Sequence, residues 1–194
     1  MKGCRPLTDA EAADVLASFY GRFAKRDRAL FVLGTKSGFR ISELLSLRIG
    51  DVVQGGRVVD RVSVRRANMK KKIEGRTVLL HPDAKTELVA WLEQLRGQGY
   101  MAADDFVFQS RNGSNRPITR VQAWKVIHRT AVDAGLTGKI GTHTLRKTFA
   151  NAVYDKLDRD LVRTQKALGH RNINSTVSYL SFREEDIDAA ILAL

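Results

Sequence analysis

Four residues between positions 141 and 180 are of types that could act together on one phosphate. His143 and Arg146 are three residues apart, a spacing that places both side chains on one face of a helix. His170 follows Gly169, a residue type on which helices often end, and Tyr179 lies nine residues further along. Two helix ends and a nearby phenol could therefore converge on one phosphate-binding pocket.

The chemistry that suits these residues is attack on a phosphodiester. The pentacoordinate transition state of that reaction places more negative charge on the non-bridging oxygens, and preorganised cationic donors stabilise it. Arginine fits this role because its planar guanidinium stays charged and pairs with two oxygens. Arg40, far from Arg146 in sequence, could clamp the phosphate from a second side. A phenol with a free pKa of about 10 needs this neutralisation and a proton acceptor before it can attack.

The composition indicates a globular protein with a polyanionic partner. The chain has 194 residues, of which 43% are hydrophobic, and its 33 Lys and Arg against 21 Asp and Glu give a formal net charge of +12. Such an excess favours binding to nucleic acid over a merely solvated basic surface. Cys4 is the single cysteine, so an intrachain disulfide is impossible. Without a signal peptide or an apolar run of about 20 residues, we expect a cytoplasmic, nucleoid-associated protein without a membrane partner.

Helical periodicity and capping residues predict most of the elements that must position these residues. Thr8 and Thr119 each begin a capping-box pattern, Pro82 suits the first turn of a helix, and Thr142 is the expected cap of the helix carrying His143. Gly38 is expected to end the second helix, and Arg40 is expected to lie at the start of a third, short helix. Further helices are predicted over about 160–168 and 174–180, followed by an amphipathic tail over 184–194.

A different pattern begins at position 51. Valines over 52–64, broken by two glycines, and the segment 77–80 predict strands, with a very basic hairpin tip between them. The fold class is therefore α+β and mainly helical, with a small antiparallel three-stranded sheet. No linker or repeat interrupts the chain, so we expect one domain over 1–194, with a motif-bearing core over 8–183.

Five motifs follow one another along the chain: SGFRISEL around Arg40, lysines at 70 to 72, HTLR at 143 to 146, LGH at 168 to 170, and Tyr179. This series resembles the tyrosine recombinase (phage integrase) family, over about residues 8 to 183. An HxxR pair alone is a weak signal, whereas all five motifs in this order and spacing are highly specific. The resemblance implies a recombinase catalytic domain that binds double-stranded DNA.

The resemblance also implies a role for each motif residue. Tyr179 would attack the scissile phosphate, form a 3′-phosphotyrosyl bond and release a 5′-hydroxyl. Arg40 and Arg146 would stabilise the transition state, His143 would take part in proton transfer with Tyr179, and His170 would hydrogen-bond the phosphate. No metal or other cofactor is implied, because the arginines supply the charge that a metal would otherwise provide.

A hairpin lysine would protonate the departing 5′ oxygen. Counting back from the return strand favours Lys70 or Lys71, with Lys70 narrowly preferred, although the run could also be a solvated hairpin tip. Glu43 stands where the family has an acidic residue that supports the site, and its pairing with Arg40 on one helix face could also be purely structural. The other basic residues near these motifs are predicted to contact the DNA backbone: Arg65, Arg66, Lys72, Arg111, Arg116 and Arg120.

The resemblance further implies a homotetramer on two duplexes, formed from subunits that are monomers when free, with an accessory directionality factor as a further partner. Family members usually carry an N-terminal DNA-binding domain, which this sequence does not show, so it could be a minimal recombinase or a fragment. The tail over 184–194 could pack on its own domain, but the family favours docking on a neighbouring subunit.

Two alternative functions share parts of this pattern. A type IB topoisomerase uses the same Arg-Lys-Arg-His-Tyr chemistry and relaxes supercoils as a monomer, but the LGH motif favours a recombinase. A basic DNA-binding protein that keeps the fold without the reaction is the other alternative. The presence of all five motifs argues against that loss.

Overall fold

The computed structural model describes residues 3–64, 76–111, 115–181, 188 and 191–193. The chain divides into two compact units, Met1–Phe149 and Ala150–Leu194. Each unit carries part of the series of motifs, and each is described separately below.

The first unit is mainly helical. Its helices in chain order are α1 (Asp9–Ala17), α2 (Ala24–Ser37), α3 (Ile41–Leu45), α4 (Ile49–Val52), α5 (Pro82–Gly97), α6 (Arg120–Asp133) and the beginning of α7 (Thr142–Lys156). The mainly helical fold predicted from the sequence is therefore confirmed.

Local side-chain hydrogen bonds define where these helices begin and end. The Thr8 hydroxyl accepts from the Glu11 amide, and the Glu11 carboxylate accepts from the Thr8 amide at 2.9 Å, which confirms the predicted capping box. Thr119 caps α6 in the same sense by accepting from the Gln122 amide at 3.1 Å. Gly38 ends α2 in the left-handed conformation, with φ of 62°. The predicted positions of these boundaries are confirmed.

The beginning of α7 differs by one residue from the prediction. Thr142 is the first helical residue rather than the cap, and the Gly141 amide instead donates to the Thr144 hydroxyl at 3.1 Å. The Thr144 side chain thus reaches back to the amide of the residue before the helix, as the third residue of a capping box does. His143 consequently lies within the first turn of α7.

Within the described residues, the strands form two antiparallel ladders rather than one three-stranded sheet. β1 (Val53–Gln54) pairs with β2 (Arg57–Val58), and β3 (Arg61–Val64) pairs with β4 (Arg76–Leu79). Gly55 and Gly56 both have positive φ and close the first hairpin after two residues, which is why the valine-rich segment splits. The antiparallel pairing predicted from the sequence is confirmed, and the predicted hairpin tip over 65–75 lies outside the described residues.

The core of the first unit fixes the elements around Arg40. α2 packs on α5, and Phe31 and Leu33 of α2 are buried in the same hydrophobic core as Leu88 and Trp91 of α5. The Trp91 indole also donates to the Val107 carbonyl at 2.7 Å, which satisfies its buried N–H. α3 in turn contacts α2 and α6. The turn between α2 and α3 therefore extends from a well-packed support.

The second unit contains the rest of α7, then α8 (Leu161–Leu168) and α9 (Ile173–Val177). Asp160 caps α8 by accepting from the Arg163 amide at 2.8 Å, and Gly169 ends it with φ of 63°, as predicted. α8 packs on α9, with Leu168 and Thr176 buried. Most of the predicted amphipathic tail over 184–194 lies outside the described residues.

Candidate active site

Arg40 is held at the start of α3 by Glu43. The Glu43 carboxylate accepts from the Arg40 backbone amide at 2.7 Å and from Arg40 Nη1 at 2.8 Å. The Glu43 side chain is 3% exposed whereas that of Arg40 is 40% exposed, so a buried anion orients a cation that still reaches solvent. The predicted pairing of these residues is therefore present, and it fixes the guanidinium without covering it.

Arg146 is tied to the turn that precedes Arg40. Its side chain is buried, with 1% of its surface exposed, and its Nη1 donates to the Gly38 carbonyl. Residues 108 positions apart are thereby joined by one hydrogen bond. The first and third motifs of the series thus meet within the first unit.

Gly38 is suited to this position for two independent reasons. Its φ of 62° is unfavourable for residues with a side chain, and an added Cβ would lie 2.3 Å from Phe149 Cδ1. No side chain fits that space without displacing the Phe149 ring. The glycine of the SGFR segment therefore shapes the backbone whose carbonyl holds Arg146.

His143 lies in a strongly cationic environment. Its pKa is lowered, first because neighbouring protein removes part of its hydration and then because Arg146, Lys147 and Arg40 repel a proton. Both effects favour the neutral imidazole, and so does the positive end of the helix dipole in the first turn of α7. A neutral ring can accept a proton from a nearby group, so the environment suits a proton-transfer role.

His170 and Tyr179 lie together in the second unit. Their ring centroids are 5.2 Å apart with an interplanar angle of 56°. His170 Nδ1 lies 3.0 Å from the hydroxyl of Thr176, which is fully buried. The Gln165 side-chain Nε2 also donates to the His170 carbonyl at 3.0 Å and to the Arg171 carbonyl at 3.1 Å. The imidazole and the loop after Gly169 are therefore oriented by neighbouring polar groups.

Asn151 anchors the backbone on both sides of the tyrosine. Its side-chain Nδ2 donates to the Tyr179 carbonyl at 3.1 Å, and its Oδ1 accepts from the Ser181 amide at 2.9 Å. Asn151 belongs to none of the five motifs. The available signal was an asparagine between two alanines in the interior of a predicted helix, where its side chain disfavours the helix unless it finds a partner.

The predicted residues thus fall into two groups. The first unit brings together Arg40, Glu43, His143 and Arg146, while the second unit brings together His170 and Tyr179. The candidate lysines and the first basic contacts lie outside the described residues: Lys70, Lys71, Lys72, Arg65 and Arg66. The remaining predicted DNA contacts are all exposed: Arg111, Arg116 and Arg120.

Within the described residues, no helix has the length and the apolar character needed to cross a membrane.

The mainly helical fold with small antiparallel ladders has counterparts of known structure. The chain superposes on the XerH site-specific recombinase bound to its palindromic difH substrate in a post-cleavage complex, with a TM-score of 0.77 and 27% identity. The match covers 96% of this chain and 51% of the XerH chain, so this chain spans about half the length of that relative.

Two curated relatives match this chain over most of their own length. The probable integrase/recombinase YoeC of Bacillus subtilis is 29% identical over 186 residues, covering 96% of this chain and 94% of YoeC. The type 1 fimbriae regulatory protein FimE of Escherichia coli K12 is 31% identical over 182 residues, covering 90% of this chain and 84% of FimE.

The sequence pattern of the phage integrase family matches residues 7–185. The chain therefore belongs to the phage integrase family, and it is a tyrosine recombinase.

Proposed function

We propose that this chain is the catalytic domain of a site-specific recombinase that cuts and rejoins double-stranded DNA. The observation that carries the proposal is the bond from Arg146 to the Gly38 carbonyl, two residues before Arg40. It fastens the two arginine motifs to one another, as a reaction that clamps a single phosphate requires. Family membership supplies the class of reaction.

The nucleophile of the proposed reaction is the Tyr179 hydroxyl. Its oxygen attacks the scissile phosphorus, a 3′-phosphotyrosyl bond forms, and the bond to the 5′ oxygen of the next nucleotide breaks. The phenolic proton leaves to His143, and the departing 5′ oxygen takes a proton from the hairpin lysine, for which Lys70 and then Lys71 are proposed. Rejoining reverses these transfers with the 5′-hydroxyl of another strand, so the energy of the broken bond is retained.

The cations of the site stabilise the charge that develops on the phosphate. Arg40 remains accessible beside its carboxylate partner, and Arg146 is held by the backbone, so both guanidinium groups are oriented before DNA binds. Preorganised donors of this kind lose little freedom during the reaction. His170, oriented by Thr176, is proposed to donate a hydrogen bond to the same phosphate.

The partner of the domain is proposed to be double-stranded DNA bound by a homotetramer. The exposed Arg111, Arg116 and Arg120, together with Arg65, Arg66 and Lys72, are proposed to contact its backbone and to add salt-dependent affinity. The tail over 184–194 is proposed to dock on a neighbouring subunit. The described tail residues Ile191 and Leu192 support this, because they are 60% and 88% exposed and offer apolar surface.

A nicked suicide duplex carrying the recombination site tests the reaction. That site is sought among inverted repeats that flank the encoding gene. The duplex loses its short 5′-hydroxyl product after cleavage, so the covalent protein–DNA product accumulates and migrates as one band in a denaturing gel. We expect this band with the wild-type chain and its complete loss in Tyr179→Phe.

Tyr100→Phe is the matched control, because it removes a hydroxyl from a half-buried tyrosine that belongs to none of the motifs, and it should trap DNA as the wild type does. Absence of covalent product from the wild type on a verified site would instead indicate a basic DNA-binding protein without the reaction. Relaxation of supercoiled plasmid that lacks the site would indicate a topoisomerase.

A further inference from the structure

A cationic pocket lies in the first unit away from the motif residues. It has a volume of about 440 Å³ and is formed by the turn between α1 and α2 together with α6 and position 111. We call it the α2–α6 pocket. Five basic residues line it against one acidic residue, Asp27: Arg22, Arg26, Arg111, Lys125 and Arg129. A concave surface with this charge focuses a positive potential and attracts anions.

Aromatic rings lie beside three of these cations. The Arg26 guanidinium lies 4.5 Å from the centroid of Phe23, and that of Arg129 lies 4.7 Å from Tyr20. Arg22 lies 5.6 Å from the Phe23 ring. Arg26 is buried, and its donors are engaged by Asp27 and by the Gln109 carbonyl, so it contributes a fixed positive charge only. A ring face orients a guanidinium without neutralising it, so Arg22 and Arg129 keep donors that can bind an external anion.

The negative charge inside the pocket is small and already engaged. Asp27 pairs with Arg26 at 2.8 Å, and burial raises the pKa of its carboxyl although Arg26 and Arg129 act in the opposite direction. Arg129 makes a long, exposed contact of 3.5 Å with Asp133. Within the part of the chain that the structure describes, Arg22, Arg111 and Lys125 take part in no ion pair. The cations thus outnumber their partners.

We infer that the α2–α6 pocket binds a phosphate of the DNA backbone at a distance from the phosphate that Arg40 contacts. The inference rests on the proposed function, which brings duplex DNA to Arg40. α2 connects the two places, since Arg22 and Arg26 flank its beginning and Arg40 follows its end. Its 14 residues span about 21 Å at 1.5 Å per residue. A duplex covers that distance in about six base pairs at 3.4 Å each.

The double substitution Arg22→Gln/Arg129→Gln tests the pocket without touching any motif residue. Its matched control is Arg57→Gln/Arg96→Gln, which removes the same charge from two arginines lining a groove between β2 and α5. Fluorescence anisotropy with a labelled random-sequence duplex measures affinity over a range of salt concentrations. We expect the pocket variant to bind about tenfold more weakly, with a salt slope smaller by about 1 to 2, because about 0.9 is lost per phosphate contact.

The position of the contact is tested by shortening the DNA arm outside the cleavage site. Wild-type protein and the groove control should lose affinity when the arm falls below about six base pairs, whereas the pocket variant should lose little, because its contact is already missing. Equal losses for all three proteins would overturn the inference, as would a pocket variant whose salt slope matches that of the control.

The outcome is separable from that of the proposed reaction. Tyr179→Phe should keep the full affinity difference between long and short arms, since binding does not need the nucleophile. A pocket without effect on DNA binding in a chain that still traps DNA would refute the pocket alone. A chain that binds through the pocket but traps no DNA would refute the reaction alone.

Discussion

Substituting Asn151 with alanine should slow DNA cleavage by removing the anchor of the nucleophile. The substitution deletes two hydrogen bonds, one to the Tyr179 carbonyl at 3.1 Å and one from the Ser181 amide at 2.9 Å. Each bond contributes about 0.5 to 1.5 kcal/mol, so the free energy that holds Tyr179 in place falls by about 1 to 3 kcal/mol. At about 1.4 kcal/mol per factor of ten, the rate of cleavage should fall about five- to 150-fold.

The measurement is the single-turnover rate of covalent trapping with DNA at saturation, well below the melting temperature of the variant. Under these conditions a change in DNA affinity has no effect on the rate, so the rate reports the placement of Tyr179. Asn151→Asp separates the two bonds, because the carboxylate can accept from Ser181 but cannot donate to the Tyr179 carbonyl. The carboxylate also sets an acceptor oxygen against the Tyr179 carbonyl, and the two repel each other. We therefore expect this variant to be impaired at least as much as Asn151→Ala.

Asn174→Ala provides the control from the same unit. Asn174 is exposed in α9, five residues before Tyr179, and the same amide group is removed there without loss of the anchor. Its rate should stay within about twofold of the wild-type rate, as is usual for surface substitutions of about ±0.5 kcal/mol. A wild-type rate in Asn151→Ala would refute the anchoring role, even if the variant were less stable.

Three further predictions concern the first unit. Gly38→Ala should lower the free energy of unfolding by at least about 2 kcal/mol, because the added methyl group clashes with the Phe149 ring and the left-handed backbone is strained. Gly55→Ala has a similar φ but open space around it, so its thermal melt should show the cost of backbone strain alone. Glu43→Gln should slow trapping about tenfold at saturating DNA by removing the charge that orients Arg40, and an unchanged rate would contradict that role. Because the pKa of His143 is lowered, the second-order trapping rate should fall on the acid side only below pH 6.5. Lys147→Gln removes a charge that repels the proton and should move this fall to higher pH. A fall centred at or above pH 6.5 in the wild type would contradict the neutral imidazole.

The sequence was sufficient where the interactions that define a feature are local. The capping box of Thr8 and Glu11 and the helix end at Gly38 depend on backbone conformation and on contacts three residues apart. The same holds for the Arg40–Glu43 pair, which a three-residue spacing makes possible. Motif order then identified the family, which no single local contact could have done.

The remaining features depend on contacts between distant positions. Asn151 meets Tyr179 across 28 residues, and Arg26 donates to the Gln109 carbonyl at 3.0 Å across 83. Residue type and spacing do not predict such pairs, because many polar residues in the chain could serve equally well. The α2–α6 pocket was missed for the same reason, since its cations come from three separate segments. The split of the strands into two ladders likewise depends on which segments pair.

Gly38 shows how a residue without chemical function can determine the geometry of a site. The left-handed turn that ends α2 directs its carbonyl towards Arg146, and the missing side chain leaves room for Phe149, three residues after Arg146 on the same helix. The contact with Phe149 and the bond to Arg146 therefore fix α7 against the end of α2 at two neighbouring points. Arg40 lies two residues after Gly38, and Arg146 is bonded to the Gly38 carbonyl. A shift of Gly38 therefore changes the position of the Arg40 guanidinium relative to that of Arg146. A rigid turn at this position is therefore a condition for two arginines to be oriented before they meet a phosphate.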